Sequence, residues 1–294
     1  MNNILVTGSA GFIGSALCLK LLELGYKVIG VDNHNEYYPS SLKEDRLSRH
    51  LDHNHYTHFR LNIENKKEIE EIFNEHSFQA VVNLAAQVGV RYSIENPYAY
   101  LESNLMGFLN ILEGCREHKI KDLIYASSSS VYGSNTNMPF SVDDNVDHPI
   151  SFYAATKKSN ELMAHTYSHL YGINTIGLRF FTVYGPWGRP DMALFKFTKS
   201  IINKEKIDIY NNGDMVRDFT YIDDIVEGIE RVLEKPPKKE IDFNKKSPDP
   251  SYSWAKHRVF NIGNSTPTPL IEFIEALETE LKVKSIKNYL PMQP

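Results

Sequence analysis

Cysteine is scarce in this chain: Cys18 and Cys115 are the only two in 294 residues, too few for the disulfide framework of a small secreted scaffold. Both fall in apolar helical patterns and read as buried thiols. Long apolar runs are missing as well. None approaches the ~20 residues a membrane-spanning helix needs, and because the sequence opens directly on a β-prone core run, no signal peptide is expected. A soluble, cytoplasmic protein with no membrane partner is expected. There is no excess of positive charge: the net charge of −5 argues against a nucleic-acid surface, while leaving a few placed arginines free to bind an anionic ligand. Arg91, Arg189 and Arg217 are the candidates. Metal-ligand spacing is also lacking. The densest histidine group, His53-x-His55-x-x-His58, stands in a polar segment without cysteine or supporting motif. His165 and His169, four apart, lack the Glu of a zinc-protease signature and read as surface or interface residues, so no metal is expected.

What is present begins at residue 3. Asn3 to Thr7 is a β-prone run, and Gly8-Ser9-Ala10-Gly11-Phe12-Ile13-Gly14 opens an amphipathic helix running to about Leu24. Strand, glycine turn and helix follow in the order a dinucleotide requires. Gly8 permits a tight turn, Gly11 lets backbone approach a pyrophosphate, and Gly14 lets helix pack on strand, while N–H groups of the first turn, those of Phe12 and Ile13 among them, point at the phosphates. The next strand ends at Asp32. A carboxylate about 20 residues beyond the glycines accepts hydrogen bonds from a ribose hydroxyl and repels a 2′-phosphate, which favours NAD over NADP.

A second pattern is Ser127-Ser128-Ser129-Ser130 followed by Tyr153-Ala154-Ala155-Thr156-Lys157. Tyr153 and Lys157, four residues apart on a helix, share one face, so an ammonium beside the phenol favours phenolate and makes a base near neutral pH. Hydroxyls at the end of the preceding strand can add a hydrogen bond to the same substrate oxygen, as proton transfer to or from an alcohol requires.

Strand-like runs recur at 3–7, 27–31, 58–63, 80–85, 122–127, 174–180 and 258–262, with helical patterns near 12–24, 66–75, 97–118 and 153–171. This alternation predicts an α/β fold with a doubly wound parallel sheet and a ligand at the carboxyl ends of its strands. After Phe181 the rhythm breaks into turns rich in Gly, Pro and Asp, with a helix near 192–203, and a smaller substrate lobe is expected there. Residues 236–257 read as a polar, exposed excursion.

Taken together, these residues resemble the extended short-chain dehydrogenase/reductase family, in its nucleotide-sugar epimerase group. The likeness extends over essentially the whole chain through Asn83-Leu84-Ala85-Ala86-Gln87, Asn104, Leu178-Arg179-Phe180-Phe181, Tyr184-Gly185-Pro186 and Arg217 to Asp224. The runs QVGVRYSIENP around Arg91 and LRFFTVYGPWGRPDMA ending at Ala193 look like the UDP-glucuronate 4-epimerase branch.

The resemblance implies a Rossmann-type NAD-binding domain over 1–181, to which 223–235 and 258–263 return, and a UDP-sugar lobe over 182–294. Relatives usually continue past the position of Pro294, which leaves a truncated lobe open. It implies a homodimer through the helices near 97–118 and 153–171, and a part in polysaccharide biosynthesis. It assigns catalysis to Ser128, Tyr153 and Lys157. Cofactor contacts fall to Gly8, Gly11, Phe12, Ile13, Gly14, Asp32, Leu84, Ala85, Ala86 and Asn104, and to Asn62-Ile63, where the family usually has Asp-Ile. Sugar or diphosphate contacts fall to Arg91, Ser127, Ser129, Thr182, Arg189 and Arg217. Related 4,6-dehydratases carry Asp-Glu where this chain has Ser129-Ser130, and related decarboxylases carry Glu at Ser130. The implied reaction is therefore plain 4-epimerisation of UDP-glucuronate and UDP-galacturonate through a transient 4-keto sugar. The alternatives are a 4-epimerase of another UDP-sugar, such as UDP-glucose or UDP-N-acetylglucosamine, and a non-catalytic NAD-binding protein.

Overall fold

The computed structural model describes residues 3–239 and 243–292. Its first elements are β1 (Asn3–Thr7), α1 (Phe12–Glu23), β2 (Lys27–Asp32), α2 (Ser41–Ser48), β3 (Tyr56–Arg60), α3 (Lys66–Glu75) and β4 (Ala80–Asn83). Two short helices follow, α4 (Tyr92–Glu95) and α5 (Pro97–Tyr100), then a π-helical turn over Leu101–Met106, α6 (Gly107–Glu117), β5 (Asp122–Ser128), α7 (Phe152–Tyr171) and β6 (Asn174–Phe180). The remainder comprises β7 (Thr182–Tyr184), α8 (Ala193–Ile202), β8 (Lys206–Ile209), β9 (Val216–Tyr221), α9 (Ile222–Glu234), β10 (His257–Ile262), β11 (Pro267–Pro269), α10 (Leu270–Leu281) and β12 (Ile286–Tyr289).

The chain divides into two compact units, Met1–Phe180 with Asp223–Ile262, and Phe181–Ile222 with Gly263–Pro294. In the first, seven strands run parallel in the order β10-β6-β5-β4-β1-β2-β3. The strands read as near-continuous apolar runs because both faces are covered by helices. Leu5, Val31, Val81, Leu123 and Tyr125 pack with Ile69, Phe73, Phe108, Ile111 and Ala164 from α3, α6 and α7. Chain order reverses between β1 and β4, and in such sheets the ligand crevice lies at that switch, beyond the carboxyl ends of the strands. Both cysteines are buried free thiols.

Helix ends follow local chemistry. The side chain of Asn65 accepts the Glu68 N–H at the start of α3, that of Ser151 accepts the Ala154 N–H at the start of α7, and α7 ends at Gly172 with φ 73°, a left-handed stop that needs no Cβ. The helix expected near 97–118 is broken. Asn96 caps α5 by accepting the Ala99 N–H, and the π-turn that follows carries Asn104, whose side chain is spent on the loop after β4.

The expected excursion at 236–257 is corrected for its second half; residues 240–242 lie outside the described residues. Trp254 donates its Nε1–H to His169 Nδ1 at 2.9 Å, Ser253 meets His165 Nε2 at 2.8 Å, and Ser251, Ser253 and Ala255 are buried. The two histidines of α7 thus clasp this segment, through a tryptophan that is apolar in body and polar at its N–H and through the Ser253 hydroxyl.

In the second unit, β9 pairs with β7 in parallel and with β11 in antiparallel fashion, while β8 and β12 form a separate pair. Ile201, Ile207, Ile209, Leu270 and Ile274 form its core. Among the described residues no helix is long and apolar enough to cross a membrane.

Candidate active site

The glycine turn after β1 is shaped by close backbone approaches. Gly8 has φ +73°, and a Cβ there would lie 2.8 Å from Ala85 N; a Cβ on Gly14 would lie 2.0 Å from Gly8 O. Neither position admits a side chain. A Cβ on Gly11 would meet only the carbonyl group of Gly8 within 4 Å, so the other side of Gly11 is open. Gly11 caps α1 without any side-chain hydrogen bond, leaving the N–H groups of Phe12 and Ile13 for an anion. The turn is tied down by Gly8 N–H to Val31 O at 2.7 Å and Ser9 N–H to the same oxygen at 3.2 Å.

Asp32, buried at the end of β2, accepts hydrogen bonds from Ala10 N–H at 3.2 Å and His34 N–H at 2.8 Å. Across the switch point, Thr7 Oγ1 donates to Asn83 Oδ1 and accepts from Ala85 N–H, which sets the backbone of Leu84, Ala85 and Ala86 beside the glycine turn. Asn104 is a buried tie. Its amide bonds Gln87 N–H, Gln87 O and Thr156 Oγ1, and its carbonyl accepts from Asn160 Nδ2. This fixes the loop after β4 to α7. Ile63 is buried and Asn62 exposed. Cradle, uncapped helix end and buried carboxylate fit a dinucleotide with a free ribose 2′-hydroxyl.

Ser128 ends β5 and caps the following 3₁₀ turn, accepting the Ser130 N–H at 3.1 Å. Tyr153 and Lys157 stand one turn apart at the start of α7. Lys157 is buried, its Nζ donating to Ala126 O at 2.9 Å, and burial pulls its ammonium from 10.5 down to about 8. The Tyr153 ring meets that of Tyr100 edge-on at 6.0 Å, and Tyr100 Oη is anchored on the carbonyls of Val88 and Gly89.

Adjacent strand residues face opposite ways, and this separates Ser127 from Ser128. The Ser127 hydroxyl donates to Glu161 Oε1 at 2.7 Å. Glu161 in turn holds Arg179 through two bonds of 2.9 and 3.0 Å, and Arg179 Nη1 donates to Tyr132 Oη. The sequence reading missed this buried network and Tyr100. The signal for Glu161 was its place one turn beyond Lys157 on α7; for Arg179 it was the one charge in a fully buried strand.

Ser129 is half-buried on the turn after β5, and Arg91 is exposed at the start of α4. Within the second unit, Thr182 begins β7, Arg189 pairs with Asp191 through Nε at 3.1 Å, and Arg217 lies on β9 opposite Thr268. Its neighbour Asp218 holds the turn before β11 by accepting the N–H groups of Asn264 and Ser265, each at 2.8 Å.

Comparison with known proteins agrees with this geometry. Protein CapI of Staphylococcus aureus is 58% identical over 291 residues, covering 99% of this chain and 87% of that protein. A probable UDP-glucuronate 4-epimerase of Rhizobium meliloti (strain 1021) is 46% identical over 290 residues, covering 98% and 85%. Among solved structures, UDP-glucuronic acid 4-epimerase from Bacillus cereus, in complex with UDP-glucuronic acid and NAD, superposes with a TM-score of 0.84 at 33% identity, covering 99% of this chain and 87% of that one. The model of one family spans residues 4–245, from the first strand past the tyrosine–lysine pair, and on that match this chain belongs to the NAD dependent epimerase/dehydratase family.

Proposed function

We propose that this protein interconverts UDP-glucuronate and UDP-galacturonate by NAD-dependent epimerisation at C4, through a transient 4-keto sugar. The observation that carries the reading is the trio of Ser128, Tyr153 and Lys157 at the end of β5 and the start of α7, with serines at 129 and 130 where an added acid and base would otherwise stand. Similarity to the Rhizobium and Bacillus enzymes supports the uronate as substrate.

NAD is the cofactor, and when bound in the Gly8–Gly14 cradle it supplies a reversible hydride acceptor for the sugar carbon. The chain's own residues handle the proton. Tyr153 Oη takes it from the 4-hydroxyl and returns it to the opposite configuration, Ser128 Oγ hydrogen-bonds the same oxygen, and the Lys157 ammonium beside Tyr153 favours the phenolate. Lys157 spends one N–H on Ala126 O, which keeps two for the site. Sugar and diphosphate contacts are assigned to Thr182, Arg189, Arg217, Arg91 and Ser129. A homodimer is proposed through α5 to α7, where Tyr98, Leu101, Met106, Leu162 and Leu170 are exposed.

A 4-keto uronate is a β-keto acid that loses CO₂ readily, so the product tests the site. Incubation with UDP-glucuronate in D₂O, followed by proton NMR, is expected to give UDP-galacturonate with little UDP-pentose and no deuterium at C4 or C5. Abundant UDP-pentose would mark a decarboxylase. Turnover of UDP-glucose but not of uronates would favour the alternative epimerase, and bound NAD without turnover of any UDP-sugar would favour a binding protein.

A further inference from the structure

Beyond Asp32, the corner expected to hold the adenosine ribose contains a cation that the sequence reading did not use. Lys43, on α2, has its side chain only 6% exposed, and its Nζ lies 3.4 Å from Asp32 Oδ1 and 3.0 Å from Asn35 Oδ1. Asp32 therefore sits among three donors: the N–H of Ala10, the N–H of His34 and the ammonium of Lys43. His34 is pinned in place with φ 53° by Glu44 on its Nδ1 at 2.7 Å and His58 on its Nε2 at 2.9 Å. Two peptide N–H groups and a buried ammonium converging on one point are the makings of an anion site, and the Asp32 carboxylate is its resident anion.

The surrounding charge does not oppose a second anion. Arg46 is fully buried one turn beyond Lys43, and the two cations lie 5.3 and 5.4 Å from the centre of the Tyr38 ring. Arg60 reaches Glu44 at 3.6 Å. An ionised carboxylate has about four lone-pair positions; three are taken here, and one is left for a ribose hydroxyl. A 2′-phosphate, carrying roughly −1.5 to −2 charges at neutral pH, is rejected by Asp32 alone.

We propose that Lys43 is a specificity-determining residue of the cofactor site: it completes an anion hole that Asp32 fills in the NAD-binding protein, and that takes a 2′-phosphate once the Asp32 side chain is shortened. The inference rests on the NAD reading above. Asp32→Ser removes the resident anion while leaving Ala10 N–H, His34 N–H and Lys43 Nζ in place. The same donors then meet a phosphate oxygen in charge-assisted hydrogen bonds.

The test uses the protein as purified. Wild type, Asp32→Ser, Lys43→Met and the double variant are expressed in the same cells, acid-denatured, and the released NAD and NADP separated and quantified. Titration of the purified variants with 2′-AMP and 5′-AMP, followed by thermal shift, gives a second readout independent of turnover. Wild type should release NAD. Asp32→Ser should raise the NADP:NAD ratio by about a hundredfold, and adding Lys43→Met should reverse about tenfold of that, the scale of one to two charge-assisted contacts. Lys43→Met alone should sharpen rejection of 2′-AMP relative to 5′-AMP, which keeps the proposal testable if the serine variant folds poorly. The proposal is overturned if Asp32→Ser leaves the ratio unmoved, if Lys43→Met does not lower it in that background, or if Lys43→Met alone leaves 2′-AMP discrimination unchanged. Wild type carrying no dinucleotide, and responding to neither probe, would overturn the NAD reading along with it.

Discussion

Glu161→Ala should destabilise the first unit severely. The Arg179 guanidinium is 0% exposed and the Glu161 side chain 4% exposed, so the pair sits out of reach of water. Removing the carboxylate strands a buried charge, which costs about 3–5 kcal/mol. The Ser127 hydroxyl, 2.7 Å from Glu161, loses its acceptor as well, adding about 1 kcal/mol. Tyr132 Oη, 3.0 Å from Arg179, remains but is neutral, and Lys158, 3.9 Å from Glu161, is a second cation left uncompensated. A loss of about 4–6 kcal/mol is expected, or a fall in Tm of about 10–20 °C. Urea unfolding at pH 7 followed by circular dichroism, at fixed NAD concentration, measures it. Replacing both partners by apolar residues, Glu161→Leu with Arg179→Met, should recover most of the loss, since no charge is then buried. A loss under about 1 kcal/mol, or a double variant no better than the single one, would refute the account of a dry, charge-balanced pair.

Tyr153→Phe should lower kcat by about 10³-fold or more and Ser128→Ala by about 10²-fold, with KM for the UDP-sugar little changed, as expected for groups acting on the proton; near-full activity of the phenylalanine variant would remove Tyr153 from the mechanism. Because burial lowers the Lys157 ammonium to about 8, its charge is present below that pH and lost above it, so kcat/KM should fall on the alkaline side with a midpoint near pH 8. Lys157→Met should abolish that limb, and a profile flat from pH 7 to 10 would contradict it. Gly14→Ala places a Cβ 2.0 Å from Gly8 O and should cost about 1–3 kcal/mol of stability, together with bound NAD, both read by urea titration and by nucleotide release from the purified protein.

The seven strands of the parallel sheet were legible because each falls in a short β-prone run flanked by helical patterns, a signature that survives without knowledge of partners. Less legible were α2 and α10. The first, Ser41–Ser48, buries Lys43 and Arg46 beside Leu47; its inward face is mostly charged, so the periodicity of apolar residues has little to detect. The strand expected at 58–63 is Tyr56–Arg60, since the chain leaves the sheet for the turn capped by Asn65. The strands β7, β8, β9, β11 and β12 interleave polar residues and proline with the apolar ones, so no apolar run sets them apart from the surrounding turns.

For the site, the sequence by itself determined the parts whose chemistry is local. The glycine spacing encodes a turn with no room for Cβ atoms, Asp32 closes the second strand, and Tyr153 and Lys157 lie one helical turn apart whatever surrounds them. The tertiary structure alone decided what is made of residues distant in the chain. Ser127 faces Glu161 rather than the side of Ser128. Arg179 and Glu161, eighteen residues apart, neutralise each other between α7 and β6, and Asn104 ties the loop after β4 to α7. Lys43 reaches Asp32 across eleven positions. Each of these depends on burial, which fixes whether a charge must find a partner, and burial belongs to the packed molecule rather than to any window of its sequence.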